Sequence, residues 1–273
     1  MFIVKVPGIN GLGKTKGCEK AGNAVLESLK EIYGNEQGKP IDVRLLDLEE
    51  IHLDNSDLEK ANNLIFKNAM EVFETQTKTF FLGGDHSVSY SLGKAFLDHC
   101  RSSGKEPCLI IFDAHPDCMP SVPGSPKGSE IPTHEEWLRA LIEQGFPAEN
   151  ILLVGVRNAD TQETEFLSRN KIRFIGMNQL LEDLRDTCDV IMEFSSQKEL
   201  YLSLDIDALD PAFAPATGYA EPGGLTSRQF LYLIQRLNKI KNLRAVDLVE
   251  INPEKTGAEM TVKLGAKILS EFL

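Results

Sequence analysis

Apolar runs of strand length alternate with segments of helical period along almost the whole chain, and this alternation leaves few folds open. The runs Phe2–Val6, Val43–Leu46, Thr79–Leu82, Cys108–Phe112, Ile151–Val156, Ile172–Ile175, Leu200–Leu204 and Arg244–Val249 read as strands. Between them, Asn23–Tyr33, Leu58–Phe73, Ser87–His99, His134–Gln144, Thr161–Ser168, Leu180–Phe194, Ser227–Lys239 and Ala258–Phe272 read as helices. Asp57, Thr161 and Thr226 are capping types at three of the starts. Strands apolar on both faces and joined by helices predict a mostly parallel sheet covered on both sides. The expectation is a single three-layer α/β/α domain over residues 1–273, with about eight strands. A chain of this length with 42% hydrophobic residues can bury such a core.

Three clusters of Asp and His follow apolar runs. They are Gly83-Gly84-Asp85-His86-Ser87, Asp113-Ala114-His115-Pro116-Asp117 and Ser203-Leu204-Asp205-Ile206-Asp207-Ala208-Leu209-Asp210-Pro211. Carboxylates at the ends of parallel strands converge on one rim of the sheet, where open α/β folds bind their ligands. In the second cluster the alternation of a strand end brings Asp113, His115 and Asp117 to nearby positions, and Pro116 prevents regular continuation. Asp205 and Asp207 do the same from another strand.

Two His and four Asp are too many donors for one ion that must also hold water, but they suit two ions bridged by shared carboxylates. An oxygen-rich set with some imidazole favours manganese over a thiolate-loving metal, while leaving iron, cobalt, nickel or zinc possible. Two divalent ions about 3.5–4 Å apart hold a hydroxide ready to attack an electrophilic carbon. A lone Asp-x-Asp is usually a solvated strand end, and a lone Gly-Gly-Asp-His is often turn chemistry. It is their joint occurrence after buried runs that points to metal.

The balance of 29 basic against 41 acidic residues, a net charge of −12, argues against nucleic acid or an anionic membrane surface as partner. No targeting segment and no run of ~20 apolar residues is visible, so the expectation is a cytoplasmic protein. The five cysteines, Cys18, Cys100, Cys108, Cys118 and Cys188, are scattered and unpaired in spacing, which fits reduced thiols. Cys118, beside Asp117, reads as a space-filler. Cys118 to Thr133 holds four prolines, two glycines and three serines, and reads as a rim or lid over the site.

A competing motif lies near the start. Gly8-Ile9-Asn10-Gly11-Leu12-Gly13-Lys14-Thr15 fits the pattern G-x-x-x-x-G-K-[ST] after a strand-like run, and Asp113 could then serve as a magnesium ligand. A phosphate-binding loop needs a helix that starts at the Lys-Thr. Here Lys16-Gly17 interrupts that turn and the periodic segment starts only near Ala21. This reading also leaves His86, His115, Asp117, Asp205 and Asp207 without a task. A Gly-rich surface turn is the plainer interpretation.

The ordered set GGDHS, DAHPD, SLDIDALDP, then Glu221-Pro222-Gly223-Gly224-Leu225-Thr226 and Val249-Glu250-Ile251-Asn252-Pro253, resembles the ureohydrolases, the family of arginases and agmatinases. Gly11 to Glu19 is similar to that family's glycine-rich N-terminal segment, so the resemblance covers nearly the whole chain. It implies that His86, Asp113, Asp117 and Asp205 hold one manganese ion. Asp113, His115, Asp205 and Asp207 hold the other, with Asp113 and Asp205 bridging. It implies that Asp117 relays a proton to the leaving amine, and that Glu250 grips a guanidinium, whose fork of N–H donors suits a carboxylate. Asp85 and Asp210 are then supports rather than ligands. The implied reaction splits a guanidino compound into urea and an amine, and the implied assembly is a homo-oligomer, trimer or hexamer.

The resemblance is less specific for substrate. Where arginases carry an Asn that contacts the amino acid's carboxylate, this chain has Cys118-Met119, and Glu221-Pro222-Gly223-Gly224 is closer to agmatinases. Agmatine is therefore the first expectation; arginine or another guanidino or formimino compound is the alternative. The family's proton-shuttling His has one downstream candidate, His134, which is followed by Glu135-Glu136-Trp137 at an apparent helix start and reads equally as a capping or surface His. A catalytically quiet member of the family is a further reading. The deacetylase-like enzymes share a related architecture, but their single-zinc ligand set does not match.

Overall fold

The computed structural model describes residues 1–11, 13–120 and 131–273. Its strands are β1 (Phe2–Val6), β2 (Asp47–Glu50), β3 (Thr79–Gly83), β4 (Pro107–Phe112), β5 (Ile151–Val154), β6 (Arg173–Ile175), β7 (Glu199–Asp205) and β8 (Leu243–Val249). They form one eight-stranded sheet in the order β2-β1-β3-β8-β7-β4-β5-β6. Each neighbouring pair runs parallel, so the sheet is wholly rather than mostly parallel.

The helices are α1 (Ala21–Leu29), α2 (Leu58–Thr75), α3 (Val88–Ser103), α4 (Trp137–Glu143), α5 (Thr161–Asn170), α6 (Met177–Glu182), α7 (Leu184–Phe194), α8 (Ser227–Leu237) and α9 (Ala258–Phe272). Side chains alternate across each strand. In β4, Cys108, Ile110 and Phe112 therefore pack with α1 and α6 to α9, while Leu109 and Ile111 pack with α2 to α5. Both faces are apolar because both are covered, which gives an α/β/α fold. Among the described residues no helix is long and apolar enough to cross a membrane.

Several local expectations fail for local reasons. Val43–Leu46 is not a strand: Asp42 accepts from Arg44 N and folds Val43–Leu45 into a 3-10 turn. The edge strand β2 follows it, four exposed residues without an apolar pattern. The cap of α5 is Asp160, not Thr161, because Asp160 and Glu163 complete a capping box. Leu180–Phe194 is two helices, since Asp183 accepts from Arg185 N and Asp186 N and starts α7 afresh. Asp57 and Thr226 cap α2 and α8 as expected.

No helix begins at Lys14-Thr15; α1 starts at Ala21, after a 3-10 turn over Cys18–Lys20. The geometry a phosphate-binding loop requires is therefore missing. Leu12 of that motif, and residues 121–130 of the segment expected to rim the site, lie outside the described residues.

Candidate active site

The four central strands β3, β8, β7 and β4 are neighbours, and each is followed at its C-terminal end by an acidic or histidine side chain of interest. His86 follows β3, Glu250 follows β8, Asp205 ends β7 with Asp207 just beyond, and Asp113, His115 and Asp117 follow β4. Adjacent parallel strands bring to one rim residues that are far apart in sequence.

The turn after β3 depends on glycine. A Cβ at Gly84 would stand 2.0 Å from the carbonyl oxygen of Gly8, a contact no side chain survives. Asp85 then turns inward, accepting from Asn10 N at 2.6 Å, Thr15 Oγ1 at 2.7 Å and Ser87 N at 3.1 Å. This fits the supporting role expected of Asp85, and makes the Gly-rich N-terminal segment part of the rim. Asp210 likewise ties loops together by accepting from Ala212 N and Gly223 N.

Two groups of donors result. Nδ1 of His86 lies 2.9 Å from Asp113 Oδ2, 2.9 Å from Asp117 Oδ2 and 3.1 Å from Asp205 Oδ2. Nδ1 of His115 lies 3.0 Å from Asp207 Oδ2 and 3.6 Å from Asp113 Oδ1. Asp113 stands between the groups, one oxygen toward each. Asp205 sits with the His86 group, its Oδ1 accepting from Asp207 N at 2.7 Å. Within each of the sets His86, Asp113, Asp205 and Asp113, His115, Asp207, the donor atoms all lie within 4.8 Å of one another.

These atoms fit a metal better than they fit each other. His86 Nδ1 and Asp113 Oδ2 are buried and close, yet neither has a partner in hydrogen-bond geometry. Unpaired buried polar atoms are costly, and a cation between them removes that cost. Without one, burial and the neighbouring Asp207 and Asp113 hold the Asp205 carboxyl well above its ordinary pKa. Burial pushes the His115 imidazole down, but the Asp113 and Asp207 carboxylates outweigh it and set it at about 12. The second nitrogen of His86 is spoken for: Nε2 is 3.0 Å from Ser203 Oγ, which donates to Asp247 Oδ1 at 2.7 Å. That relay orients the ring and frees Nδ1.

The Glu250 side chain is buried beside this cluster. Its backbone is left-handed, φ 65°, and its amide donates to Gly84 O at 2.8 Å. Oε1 accepts from His86 N at 3.0 Å. Burial, then nearby Asp85, raise its carboxyl well above the ordinary value, an environment suited to a cation.

His134 precedes α4 rather than lying within it and is 5% exposed, so it is neither a helix cap nor a surface residue. Its Nδ1 faces Glu250 Oε1 at 3.7 Å and its ring lies 5.2 Å from that of Tyr219. Nε2 has no hydrogen-bond partner. A cavity of about 220 Å³ is lined by His115, Asp117, His134, Glu135, Glu163 and Tyr219, among others. Cys118 is buried and donates its amide to Glu163, whose carboxyl burial lifts to about 7. All five cysteines are buried and free.

Three participants had no signal in the sequence. Tyr219 lies between motifs, Asp247 is one of two charged residues in a strand that is otherwise apolar, and Trp137 reads as an ordinary helix-start aromatic. Their contacts are with residues distant in sequence: Tyr219 with His134, Asp247 with Ser89, Tyr201 and Ser203, and Trp137 with Asp117.

A protein-family model described as "Arginase family" matches residues 1–273. Arginase 1, mitochondrial, of Oryza sativa subsp. indica is 29% identical over 252 residues, covering 92% of this chain and 70% of that protein. The agmatinase of Bacillus subtilis (strain 168) is 28% identical over 235 residues, covering 85% and 75%. In fold, the chain matches the crystal structure of formimidoylglutamase from Bacillus subtilis subsp. subtilis str. 168 with a TM-score of 0.86 at 24% identity, over 99% of this chain and 84% of that one.

Proposed function

The chain belongs to the Arginase family, hydrolases that act on guanidino carbon–nitrogen bonds, and on that premise we propose that it hydrolyses a small guanidino compound to urea and an amine, with agmatine as the first candidate. The observation that carries this reading is the sharing of Asp113, with Oδ2 at 2.9 Å from His86 Nδ1 and Oδ1 at 3.6 Å from His115 Nδ1. One carboxylate between two imidazole-bearing groups is a frame for two ions.

In this reading His86, Asp113, Asp117 and Asp205 hold one manganese ion, and Asp113, His115, Asp205 and Asp207 hold the other. When bound, the ions supply Lewis acidity and bring water ionisation toward neutral pH. Glu250 accepts paired hydrogen bonds from the guanidinium and presents its carbon to the donor cluster. Water oxygen adds to that carbon, Asp117 takes the proton, and the same proton goes to the alkyl-bearing nitrogen as its bond to carbon breaks. His134, with an unpartnered Nε2 in the cavity wall, moves protons between the cavity and solvent.

Glu135, Asp160 and Glu163 line the same cavity as His115 and Asp117, which suits a substrate with a second cation and no carboxylate. That arrangement favours agmatine over arginine. One observation favours the alternative: Lys14 Nζ lies 4.3 Å over the Tyr219 ring, a cation that suits a carboxylate tail.

The test is urea or ammonia release over agmatine, arginine, guanidinobutyrate, guanidinopropionate, formiminoglutamate and guanidine, with Asp207→Ala as control. Agmatine should lead, and the control should be inactive. Preference for a carboxylate-bearing substrate refutes the agmatine assignment. Equal activity in Asp207→Ala refutes the two-metal frame.

A further inference from the structure

Trp137, the chain's only tryptophan, opens α4 and is fully buried. A buried indole N–H is a donor that needs an acceptor. Here Nε1 donates to Asp117 Oδ2 at 2.7 Å, the same oxygen that stands 2.9 Å from His86 Nδ1. The indole ring also lies 4.7 Å from the His86 imidazole, tilted by 38°. One side chain thus touches two members of the donor cluster, which come from different strands.

Asp117 needs such support. It lies beyond the end of β4, outside the hydrogen-bonded sheet, with a left-handed backbone of φ 51° that side chains bearing a Cβ rarely adopt. Its carbonyl accepts from Leu138 N at 3.2 Å and Arg139 N at 3.5 Å. The main chain of Asp117 is therefore held by the start of α4, and its carboxylate by the first residue of that helix.

We infer that Trp137 is a positioning residue for the donor cluster: its N–H sets the orientation of the Asp117 carboxylate while its ring walls the His86 imidazole. This rests on the two-metal reading above. The bond is charge-assisted and buried, so it resists rotation of Asp117 more strongly than packing alone. Loss of an outer partner of a metal-binding side chain costs about 10–100-fold in metal affinity. Trp137→Phe keeps an aromatic six-membered ring and removes the donor with the rest of the five-membered ring, so a double variant with Asp117→Asn separates lost donor from lost packing.

The experiment is calorimetric titration of the metal-free full chain with Mn2+, with the fold of each variant checked by circular dichroism. Wild type should bind two ions. Trp137→Phe should bind one with wild-type affinity and the other at least about 10-fold more weakly. Asp117→Asn should weaken the same ion, and adding Trp137→Phe to it should cost nothing further, since the indole acts through Asp117. Two ions at wild-type affinity in Trp137→Phe overturn the inference, as does an additive loss in the double variant, which marks a core-packing role instead.

If Trp137→Phe fails to fold, wild-type tryptophan emission decides. Paramagnetic Mn2+ beside the indole should quench it in step with binding, and emission unchanged while calorimetry counts two ions overturns the inference. A wild type that binds no Mn2+ removes the two-metal reading itself, a result distinct from each of these.

Discussion

His134 Nδ1 stands 3.7 Å from Glu250 Oε1, with both side chains buried, although one residue precedes α4 and the other follows β8. The ring proposed to carry protons lies next to the carboxylate proposed to hold a guanidinium, so binding and proton movement are tested separately.

Glu250→Gln should lower kcat/KM for the preferred guanidino substrate by roughly 10²-fold, the effect of weakening two charge-assisted hydrogen bonds by about 3 kcal/mol in all. Metal content should not change, because the amide oxygen still accepts from His86 N. Steady-state kinetics with metal analysis checks this, and unchanged kcat/KM removes Glu250 from substrate binding.

His134→Asn should reduce kcat by ~10²-fold or more, within the usual range for a positioned proton-transfer group. KM and bound metal should change little, since His134 is outside both His–Asp groups. Partial rescue of kcat by added imidazole is the accompanying result. A kcat equal to wild type would return His134 to a purely structural role.

Asp247→Ala should be among the most destabilising single changes. It would strip the acceptor from Ser89 Oγ at 2.6 Å, Tyr201 OH at 2.5 Å, Ser203 Oγ at 2.7 Å and Leu204 N at 3.2 Å, all buried. Stranding several buried donors costs on the order of 3 kcal/mol or more. Denaturant unfolding measures it, and a loss under ~1 kcal/mol would mean that water takes over these donors.

Lys78 predicts a pH effect away from the site. Burial lowers its ammonium from an ordinary 10.5 to about 8. Between those values the unfolded chain binds more protons than the folded one, so stability rises with pH across this window. The burial penalty is fully present below pH 8. Relative to Lys78→Met, wild type should gain about 1–2 kcal/mol from pH 8 to 10.5, less than the full shift because the group keeps part of its hydration. Parallel stability curves for the two proteins would contradict this.

Much of the fold was legible because its signals are local. Both-faced apolar runs such as Cys108–Phe112 identify covered parallel strands, and the caps Asp57 and Thr226 act within a few residues of themselves. The misreadings were local contests between side chain and backbone, at Asp42, Asp160 and Asp183. Each redirected a turn that apolar periodicity does not register.

By itself, the sequence determined which residue types could form the site, since Asp and His at the ends of buried runs are marked by their spacing and by the runs they follow. Only the tertiary structure decided which of them meet. The order β3-β8-β7-β4 sets His86, Glu250, Asp205 and Asp113 side by side, a matter of crossovers that leaves no local pattern. It also placed His134 in the cavity instead of on the surface. Trp137 it turned toward Asp117, because a buried N–H must find an acceptor and this one lies in the loop beyond β4, twenty residues back in the chain.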